Sequence, residues 1–358
     1  MIREYGSNFE ILIGKNSNKQ IKLENKNDIL FLRSARECFF LIAEIAEKRN
    51  INTILIPSLC CPSMVQAYLE KSFKIEYYEI KNDLTSSKED LKNKITNNSI
   101  LMLINYYGIK SYNMIEIKEI IKEKENVILI QDCTQNIFTR ELYDENVDFQ
   151  VGSLRKWLPI ADGAFLKNKK NINWNFENIN LSDKYYVNKI YNAMTNKYKY
   201  LKNQNLLLKE EYRKDFAECT QILKKKIKVC YMSELSKQIC KLNIDLEEVM
   251  EKRRKNYLYL LDKLKKNVPD IVKYSVYQKA PLCLVIILKE RDMIQKELAQ
   301  EGIYCQVLWP LLEEIKEKYK FSKWFAEHML AVPCDQRYSE KDMDYISKKI
   351  IKLVNKYE

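Results

Sequence analysis

The chain has 358 residues, of which 46% are hydrophobic and 31% are charged. This is the composition of an ordinary globular protein, and it excludes a wholly disordered chain, a collagen and a coiled coil. No run approaches the roughly 20 apolar residues that a membrane span needs. No apolar stretch follows the first residues, so we expect neither a membrane anchor nor a secretory signal.

The reactive side chains limit the possible chemistry further. There are ten cysteines without a Cys-x-x-Cys pair, and His328 is the single histidine. We therefore expect free thiols in a reducing, cytoplasmic compartment, no metal site and no Ser-His-Asp hydrolase.

The net charge is +12, but basic residues are interspersed with acidic ones, and the densest basic run is at 224–226. A solvated basic surface explains this pattern, with a surface for anionic ligands as the alternative; no nucleic-acid-binding motif is present.

The first half of the chain alternates short β-rich runs with amphipathic helical patterns. The sequence predicts strands at 29–32, 53–56, 74–80, 100–104, 127–131 and 149–151, and helices at 34–48, 63–71, 90–95 and 115–123. This alternation predicts an α/β fold with a mainly parallel sheet sandwiched by helices. Ligands bind beyond the carboxyl ends of parallel strands, so the polar residues that end these strands are expected at a site. They are Ser58, Asn105, Asp132 and Ser153.

The second half has a different pattern. Residues 174–228 are polar, rich in Lys and Tyr, and predicted to be helical, and a long helix over 232–267 is interrupted near 243–245. Strands at 281–288 and 303–308, a helix at 293–301 and a closing helix at 341–356 follow. We therefore predict an N-terminal arm and large domain over 1–244 and a small α+β domain over 245–358.

Two segments carry most of the chemistry. In the first, Ser153 and Lys156 lie between Gly152 and Gly163. The chain has only six glycines, so each is expected where the backbone needs positive φ or close approach. A lysine amine with a lowered pKa becomes a nucleophile and forms Schiff bases with carbonyls; the alternative is an ordinary surface lysine.

In the second segment, Asp132 directly follows the hydrophobic run 128–130. A carboxylate at the end of a buried strand is costly unless it has a partner. One interpretation is a helix N-cap, since aspartate is a favoured capping residue. The other is a carboxylate aimed at a bound cation, such as a protonated pyridine nitrogen.

Together the two segments, ILIQDCTQN and GSLRKWLPIADGAFL, resemble the fold-type-I pyridoxal-phosphate (PLP) enzymes, and more narrowly the DegT/StrS-type sugar aminotransferases. The resemblance covers residues 28–170 well and 230–345 loosely. It implies the fold-type-I PLP-transferase fold with a seven-stranded-type sheet, and a homodimer with active sites at its interface. The implied activity is transfer of an amino group from glutamate to a nucleotide-linked keto-sugar, within polysaccharide biosynthesis.

The resemblance also implies roles for single residues around the ring of the cofactor. Lys156 would hold PLP as an internal aldimine and later shuttle a proton. Asp132 would pair with the pyridinium nitrogen and keep the ring an electron sink. Gln135 would hydrogen-bond near the 3-oxygen of the ring. Because the chain keeps Lys156, it differs from the sugar dehydratases of the family, which have histidine there.

The phosphate would be bound by Ser153 and by Ser34 and Ala35. The last two open a predicted helix, and a helix N-terminus is an anion site on physical grounds alone. The alternative is that Ser34 only caps this helix, since Ser34 and Glu37 have the spacing of a capping box.

Some positions depart from the family pattern. Where the family places an aromatic ring over the pyridine this chain has Cys61, with Tyr106 or Tyr107 as alternative covers. Asn105 stands where histidine is common, and the Gly-Tyr-Asn-Tyr-Arg stretch that reaches a neighbouring subunit is missing.

Two C-terminal residues are substrate-binding candidates. Trp309 would line the entrance, unless it is a core tryptophan. Arg337 would bind the carboxylate of the amino donor, unless it pairs with Asp335 or Glu340. Two other functions stay open: another lysine-based PLP reaction on a non-sugar acceptor, and a non-catalytic regulatory or binding relative.

Overall fold

The computed structural model describes residues 4–12, 23–172, 174, 176 and 179–358. The elements of its first half are β1 (Tyr5–Gly6), β2 (Ile29–Leu32), α1 (Ala35–Lys48), β3 (Thr53–Pro57), α2 (Pro62–Leu69), β4 (Lys74–Tyr78), α3 (Lys88–Lys94), β5 (Ser99–Ile104), α4 (Met114–Ile121), β6 (Val127–Asp132), β7 (Phe149–Gly152) and β8 (Ala164–Asn168).

A seven-stranded sheet with the order β2-β8-β7-β6-β5-β3-β4 forms the centre of the molecule. Strands β3 to β7 run parallel to one another, whereas β8 is antiparallel to both β7 and β2. The predicted mainly parallel sheet is confirmed. All six residues of β5 are buried, because helices cover both faces of such a sheet and its central strands become continuous apolar runs.

The second half contains α5 (Lys184–Asn203), α6 (Leu206–Lys224), α7 (Glu234–Asn243), α8 (Leu246–Asn267), β9 (Leu284–Ile287), α9 (Arg291–Gln300), β10 (Ile303–Tyr304), α10 (Glu313–Lys318), α11 (Lys320–His328), β11 (Met329–Val332) and α12 (Glu340–Tyr357). Short 3-10 helices cover Arg140–Leu142, Leu154–Lys156 and Pro269–Val272. Helices α5 and α6 form a hairpin that turns at Gln204, which has a left-handed conformation. Strands β9 and β11 pair antiparallel, and β1 runs parallel to β10.

The helix boundaries follow recognisable local signals. The predicted break in the long helix is confirmed, because the Asp245 carboxylate accepts hydrogen bonds from the backbone N–H groups of Glu247 (2.9 Å) and Glu248 (3.2 Å) and so starts α8. The helix predicted from residue 174 starts only at Lys184, capped by Asp183. Part of that prediction, at residues 175, 177 and 178, lies outside the described residues.

The C-terminal part has a hydrophobic cluster of its own, which includes Leu260, Leu284, Ile294 and Ile346. The predicted strand over 303–308 is wrong in its length, since only Ile303–Tyr304 forms β10. A domain boundary near residue 245 stays a prediction.

In the described part of the chain no helix is long and apolar enough to cross a membrane. The ten cysteines are free thiols.

Candidate active site

Two cavities meet at the carboxyl edge of the sheet. The small cavity, of about 50 Å³, is lined among others by Ser34, Asp132, Ser153 and Lys156. The large cavity, of about 280 Å³, is lined among others by Gln135, Trp309 and Arg337. Arg155 and Lys156 line both cavities. The structure thus brings together most of the residues that the sequence selects.

Lys156 is presented to both cavities by a rigid turn. It ends the 3-10 helix Leu154–Lys156 and is followed by Trp157, which is fully buried. The indole Nε1–H of Trp157 donates to the carbonyl of Thr134 at 2.7 Å, and the Arg253 guanidinium lies 4.7 Å from the ring centroid. The Lys156 side chain is exposed and has no hydrogen bond or ion pair with any described residue. Its amine is therefore free to contact a molecule bound in either cavity.

The two glycines around this turn are needed for its shape. A Cβ atom on Gly152 would lie 2.4 Å from the ring of Phe165, and Gly163 has a φ of +145°. The carbonyl of Gly163 accepts a hydrogen bond from the N–H of Arg155 at 3.2 Å. These glycines therefore serve close approach and positive φ, which is what the sequence predicted for them.

Asp132 ends β6 with its carboxylate buried in the wall of the small cavity. Its Oδ1 accepts a hydrogen bond from the backbone N–H of Thr134 at 2.7 Å. No helix begins there, because residues 133–139 form turns, so the N-cap interpretation is wrong. Burial raises the pKa of Asp132, whereas the bonds from Thr134 and the charge of Lys156 lower it. The ionised form of this carboxylate needs a cation close by.

Gln135 has one satisfied and one unsatisfied end. Its Oε1 accepts a hydrogen bond from the N–H of Tyr107 at 2.8 Å. Its Nε2 is buried and finds no acceptor in the described part of the chain. Because this residue lines the large cavity beside Lys156, the free N–H group is available to an acceptor on a bound molecule.

Ser34 precedes α1 but does not cap it with its side chain. The predicted capping box is wrong, because Glu37 instead accepts hydrogen bonds from Arg33 Nε at 2.6 Å and from the N–H of Cys230 at 3.1 Å. The Ser34 side chain is only 5% exposed, and no described residue is a partner for its Oγ. It lines the small cavity together with Ala35 and Ser153.

The candidates for covering a ring differ in position. Cys61 lies at the N-terminus of α2 and lines the small cavity, with its Sγ 3.0 Å from Ser63 Oγ. Tyr107 is among the lining residues of neither cavity. Its ring stacks on Phe325 at 6.1 Å, and its hydroxyl donates to the carbonyl of Leu308 at 2.7 Å. Tyr106 is likewise buried and donates to the carbonyl of Leu59. The position of Cys61 suits the predicted role, and those of the tyrosines do not.

Two of the polar strand ends serve the fold instead of the site. Ser58 Oγ lies 2.8 Å from Ser322 Oγ. The Asn105 side chain donates to the carbonyl of Leu142 at 2.9 Å and accepts from the N–H of Ser111 at 2.9 Å. The expectation that they line the site is wrong, because these contacts turn both side chains into loop supports.

Trp309 is buried and also lines the large cavity, so both interpretations of this residue hold in part. Arg337 is held by the protein itself. Its Nε and Nη2 each donate to Asp335 at 2.8 Å, and its Nη1 donates to the carbonyl of Asn8 at 3.1 Å. Burial opposes the charge, but Asp335 holds the pKa of Arg337 well above its ordinary value. The ion-pair alternative with Asp335 therefore describes Arg337 better than a free carboxylate binder.

We predict that Arg337→Met chiefly lowers stability. The change leaves the buried Asp335 carboxylate without its bidentate partner, and breaking a buried pair costs about 3–5 kcal/mol. Urea unfolding of the two proteins measures this loss. Arg213→Met, at an exposed position of α6, is the matched control and should unfold like the wild type. A fully stable Arg337→Met protein that has lost affinity for the amino donor would restore the substrate-binding role.

Arg36, Thr134 and Arg155 are among the lining residues of the small cavity that the sequence interpretation missed. Thr134 Oγ1 accepts a hydrogen bond from the N–H of Ser153 at 3.2 Å and so joins the segments of Asp132 and Lys156. Burial leaves Nε and Nη1 of Arg36 and Nε of Arg155 without an acceptor among the described residues. The available signal was an arginine in the first turn of a helix, where the helix dipole favours negative charge and disfavours a cation.

The N-terminal segment closes the large cavity. Residues Gly6 to Phe9 line it, and the N–H of Gly6 donates to the hydroxyl of Tyr338 at 2.6 Å. The buried Lys197 donates to the Asn8 carbonyl at 2.6 Å, and burial lowers the pKa of Lys197 to about 8. This segment gives the cavity a wall that the sequence alone did not indicate.

No family model and no curated protein matches the sequence. The structure is similar to that of Spr1654 from Streptococcus pneumoniae, assigned as a sugar aminotransferase and solved in its PLP form, with a TM-score of 0.62, 14% identity and coverage of 92% of this chain and 87% of that one. The sugar aminotransferase CalS13 from Micromonospora echinospora gives a TM-score of 0.60 at 12% identity, over 90% of this chain and 87% of that one.

A GDP-4-keto-6-deoxymannose-3-dehydratase, ColD, with bound GDP-perosamine is also similar, with a TM-score of 0.57 and 14% identity over 90% of this chain and 88% of that one. A NifS-like protein covers 92% of this chain and 83% of its own at a TM-score of 0.57 and 13% identity. The likenesses extend over nearly the whole chain. They confirm the predicted fold, which this protein shares with these PLP enzymes and sugar enzymes.

Proposed function

We propose that the protein is a PLP-dependent aminotransferase. The observation that carries the proposal is the position of Lys156, whose free amine lies where the small and the large cavity meet. On one side of it are the buried Asp132 and the unpartnered Ser34, and on the other is space for a substrate. This is the arrangement that a lysine-bound cofactor with a reacting partner requires.

The residues present fit the parts of PLP. The phosphate suits the N-terminus of α1, where Ser34 Oγ has no partner in the described structure. The protonated ring nitrogen suits Asp132, since a buried carboxylate is stabilised by a cation. The 3-oxygen of the ring suits the free Nε2 of Gln135. Each part of PLP would thus provide either a hydrogen-bond partner or an opposite charge to a side chain of the site.

When bound, PLP supplies an electron sink for the carbon that loses its proton. The chain contributes the proton handling around it. Asp132 would hold the proton on the ring nitrogen, and its own burial excludes water from that bond. The Lys156 amine would first hold the cofactor covalently and then carry the proton to and from the substrate carbon, because no other group of the described chain restrains it.

We further propose a nucleotide-linked keto-sugar as the amino acceptor, with glutamate as donor, in polysaccharide biosynthesis. Spr1654 and CalS13, similar in fold, are named as sugar aminotransferases, and the ColD structure holds GDP-perosamine. The large cavity of about 280 Å³ is near the lower end of the small-molecule range of about 300–1,000 Å³. It has room for a sugar, with the nucleotide extending outward.

We also propose a cytoplasmic homodimer. The ten free thiols, nine of them buried, favour a reducing compartment. Sedimentation of the active protein is expected to give the mass of two chains. A monomer that retains full activity would contradict this assembly.

The test of the proposed function is a pair of absorbance spectra. The purified protein with PLP is expected to have a visible band, and glutamate is expected to remove it as the amino group moves to the cofactor. Other amino acids tested in parallel identify the donor, and a nucleotide-linked keto-sugar should restore the band. A protein that stays colourless with PLP would rule out this function and favour a binding role. A band that no amino donor changes would favour another PLP reaction.

A further inference from the structure

Two guanidinium groups beside the small cavity have buried N–H groups without a hydrogen-bond acceptor among the described residues. Arg36 Nε and Nη1 and Arg155 Nε are buried and have no acceptor within the described residues. The other buried arginines are satisfied: Arg33 pairs with Glu37 and Asp183, Arg337 pairs with Asp335, and Arg253 donates to Gln336 and to backbone carbonyls. A buried N–H group without an acceptor costs about 1–3 kcal/mol, so the missing partner needs an explanation.

The position of Arg36 adds its charge to a place that is already positive. It lies in the first turn of α1, a helix of 14 residues, where the dipole already gives about half a positive charge. The carbonyl of Ser34 accepts the N–H groups of Glu37 and Cys38, which leaves the first two N–H groups of the helix to a ligand. Ser34 Oγ, in a residue that is only 5% exposed, also lacks a partner.

The two arginines lie at the same cavity. Both line the small cavity with Ser34 and Ser153. Burial lowers the pKa of Arg36, Cys61, Glu70 and Glu37 oppose this, and the charge of Arg155 lowers it further, so the two cations repel each other. The one acidic residue among those that line the cavity is Asp132, and its hydrogen bond goes to Thr134. The site thus has two guanidinium groups at a helix N-terminus, and no carboxylate of the described residues accepts a hydrogen bond from either arginine.

We propose that Arg36 and Arg155 form a clamp for a phosphate monoester dianion, completed by Ser34 and the N-terminus of α1. Two guanidinium groups match a dianion, whereas a carboxylate would leave one of them unpaired. The small cavity, of about 50 Å³, admits a group of a few atoms. The rest of the ligand then extends past Asp132 and Lys156 to the large cavity.

The proposal rests on the proposed function, because PLP is the phosphate monoester that the site would take. It adds that these two arginines make the protein select the phosphorylated cofactor. Pyridoxal has the same ring and aldehyde but no phosphate. It is therefore the probe that separates the phosphate clamp from the proposed function. Inorganic phosphate is the probe that needs no reaction at Lys156.

The first experiment measures the dissociation constants of PLP and pyridoxal for the full-length cofactor-free protein by absorbance titration. The variants are Arg36→Gln, Arg155→Gln and both together, with Arg213→Gln on the exposed side of α6 as the matched control. A hydrogen bond to a charged group is worth about 10- to 150-fold in affinity. Each single variant should therefore weaken PLP binding at least about 10-fold, and leave pyridoxal binding and the control unchanged. Equal losses for both ligands, or no loss, would overturn the clamp.

The second experiment measures melting temperatures in inorganic phosphate against chloride at equal ionic strength. A ligand that binds only the folded state raises the melting temperature, so phosphate should stabilise the wild type and Arg213→Gln but not the double variant. The same rise in all proteins, or in none, would overturn the clamp. A rise confined to proteins with both arginines, in a chain that never binds PLP, would support the clamp and refute the proposed function.

If a Gln variant does not fold, Arg36→Lys and Arg155→Lys take its place. They keep the charge but lack the Nε–H donor, which is the buried atom without an acceptor in both arginines. The same selective loss of PLP affinity is expected, and unchanged affinity would count against the clamp.

Discussion

Replacing Lys156 by alanine is expected to abolish covalent attachment of PLP, together with the visible band and the transfer activity. Among the described residues, no other lysine lines either cavity, so none of them can take over the bond. The loss should reach the level of the uncatalysed reaction, because nucleophile and proton carrier are removed together. Borohydride reduction of the wild-type complex, followed by peptide mass analysis, should place the cofactor on Lys156.

The fold should tolerate this change. The Lys156 side chain is exposed, and such surface substitutions usually alter stability by less than about 0.5 kcal/mol. Lys170→Ala, at another exposed lysine shortly after β8, is the matched control and should keep the band. A Lys156→Ala protein that retains the wild-type band, or reduced cofactor found on another residue, would show that the site is assigned wrongly.

The fold could be predicted because its signals are local. The apolar run that became β5 and the turn residues that follow each strand fix the strands, and Asp245 marks the start of α8 by its capping chemistry. The short β10 could not be predicted in this way. Its length depends on β1, a two-residue strand distant in sequence that pairs with Ile303–Tyr304 alone.

The site was predictable where chemistry requires a residue type at a fixed spacing, as for Asp132 and Lys156. The prediction failed for side chains whose role depends on a partner that is distant in sequence. Glu37 has the spacing of a capping box, but Arg33 and the N–H of Cys230 hold its carboxylate. Arg337 looks free in sequence, yet Asp335 and the carbonyl of Asn8 occupy it. Arg36 and Arg155 were hidden among 61 basic residues.

Asp132→Asn is expected to separate binding from catalysis. The asparagine has the same shape and can accept the hydrogen bond from Thr134 that Oδ1 now receives. PLP should therefore still bind to Lys156 and give a visible band. A neutral amide, however, cannot keep a proton on the ring nitrogen, and a charge-assisted hydrogen bond in a buried site is worth about 1.5–3 kcal/mol or more. The half-reaction with the amino donor should slow by orders of magnitude, measured by stopped-flow absorbance.

The stability of the cofactor-free Asp132→Asn protein provides an independent test. Burial raises the pKa of Asp132 above that of the unfolded chain, so the ionised carboxylate destabilises the wild type at neutral pH. This destabilisation is absent below the pKa that Asp132 has in the unfolded chain. It develops as the pH rises through the pKa that Asp132 has in the folded protein. Without cofactor the variant should be at least as stable as the wild type at pH 7, with the difference vanishing below about pH 4. With PLP the order should reverse, because only the carboxylate gains an ion pair with the ring. Wild-type half-reaction rates in the variant, or equal stabilisation of both proteins by PLP, would show that Asp132 does not meet the ring nitrogen.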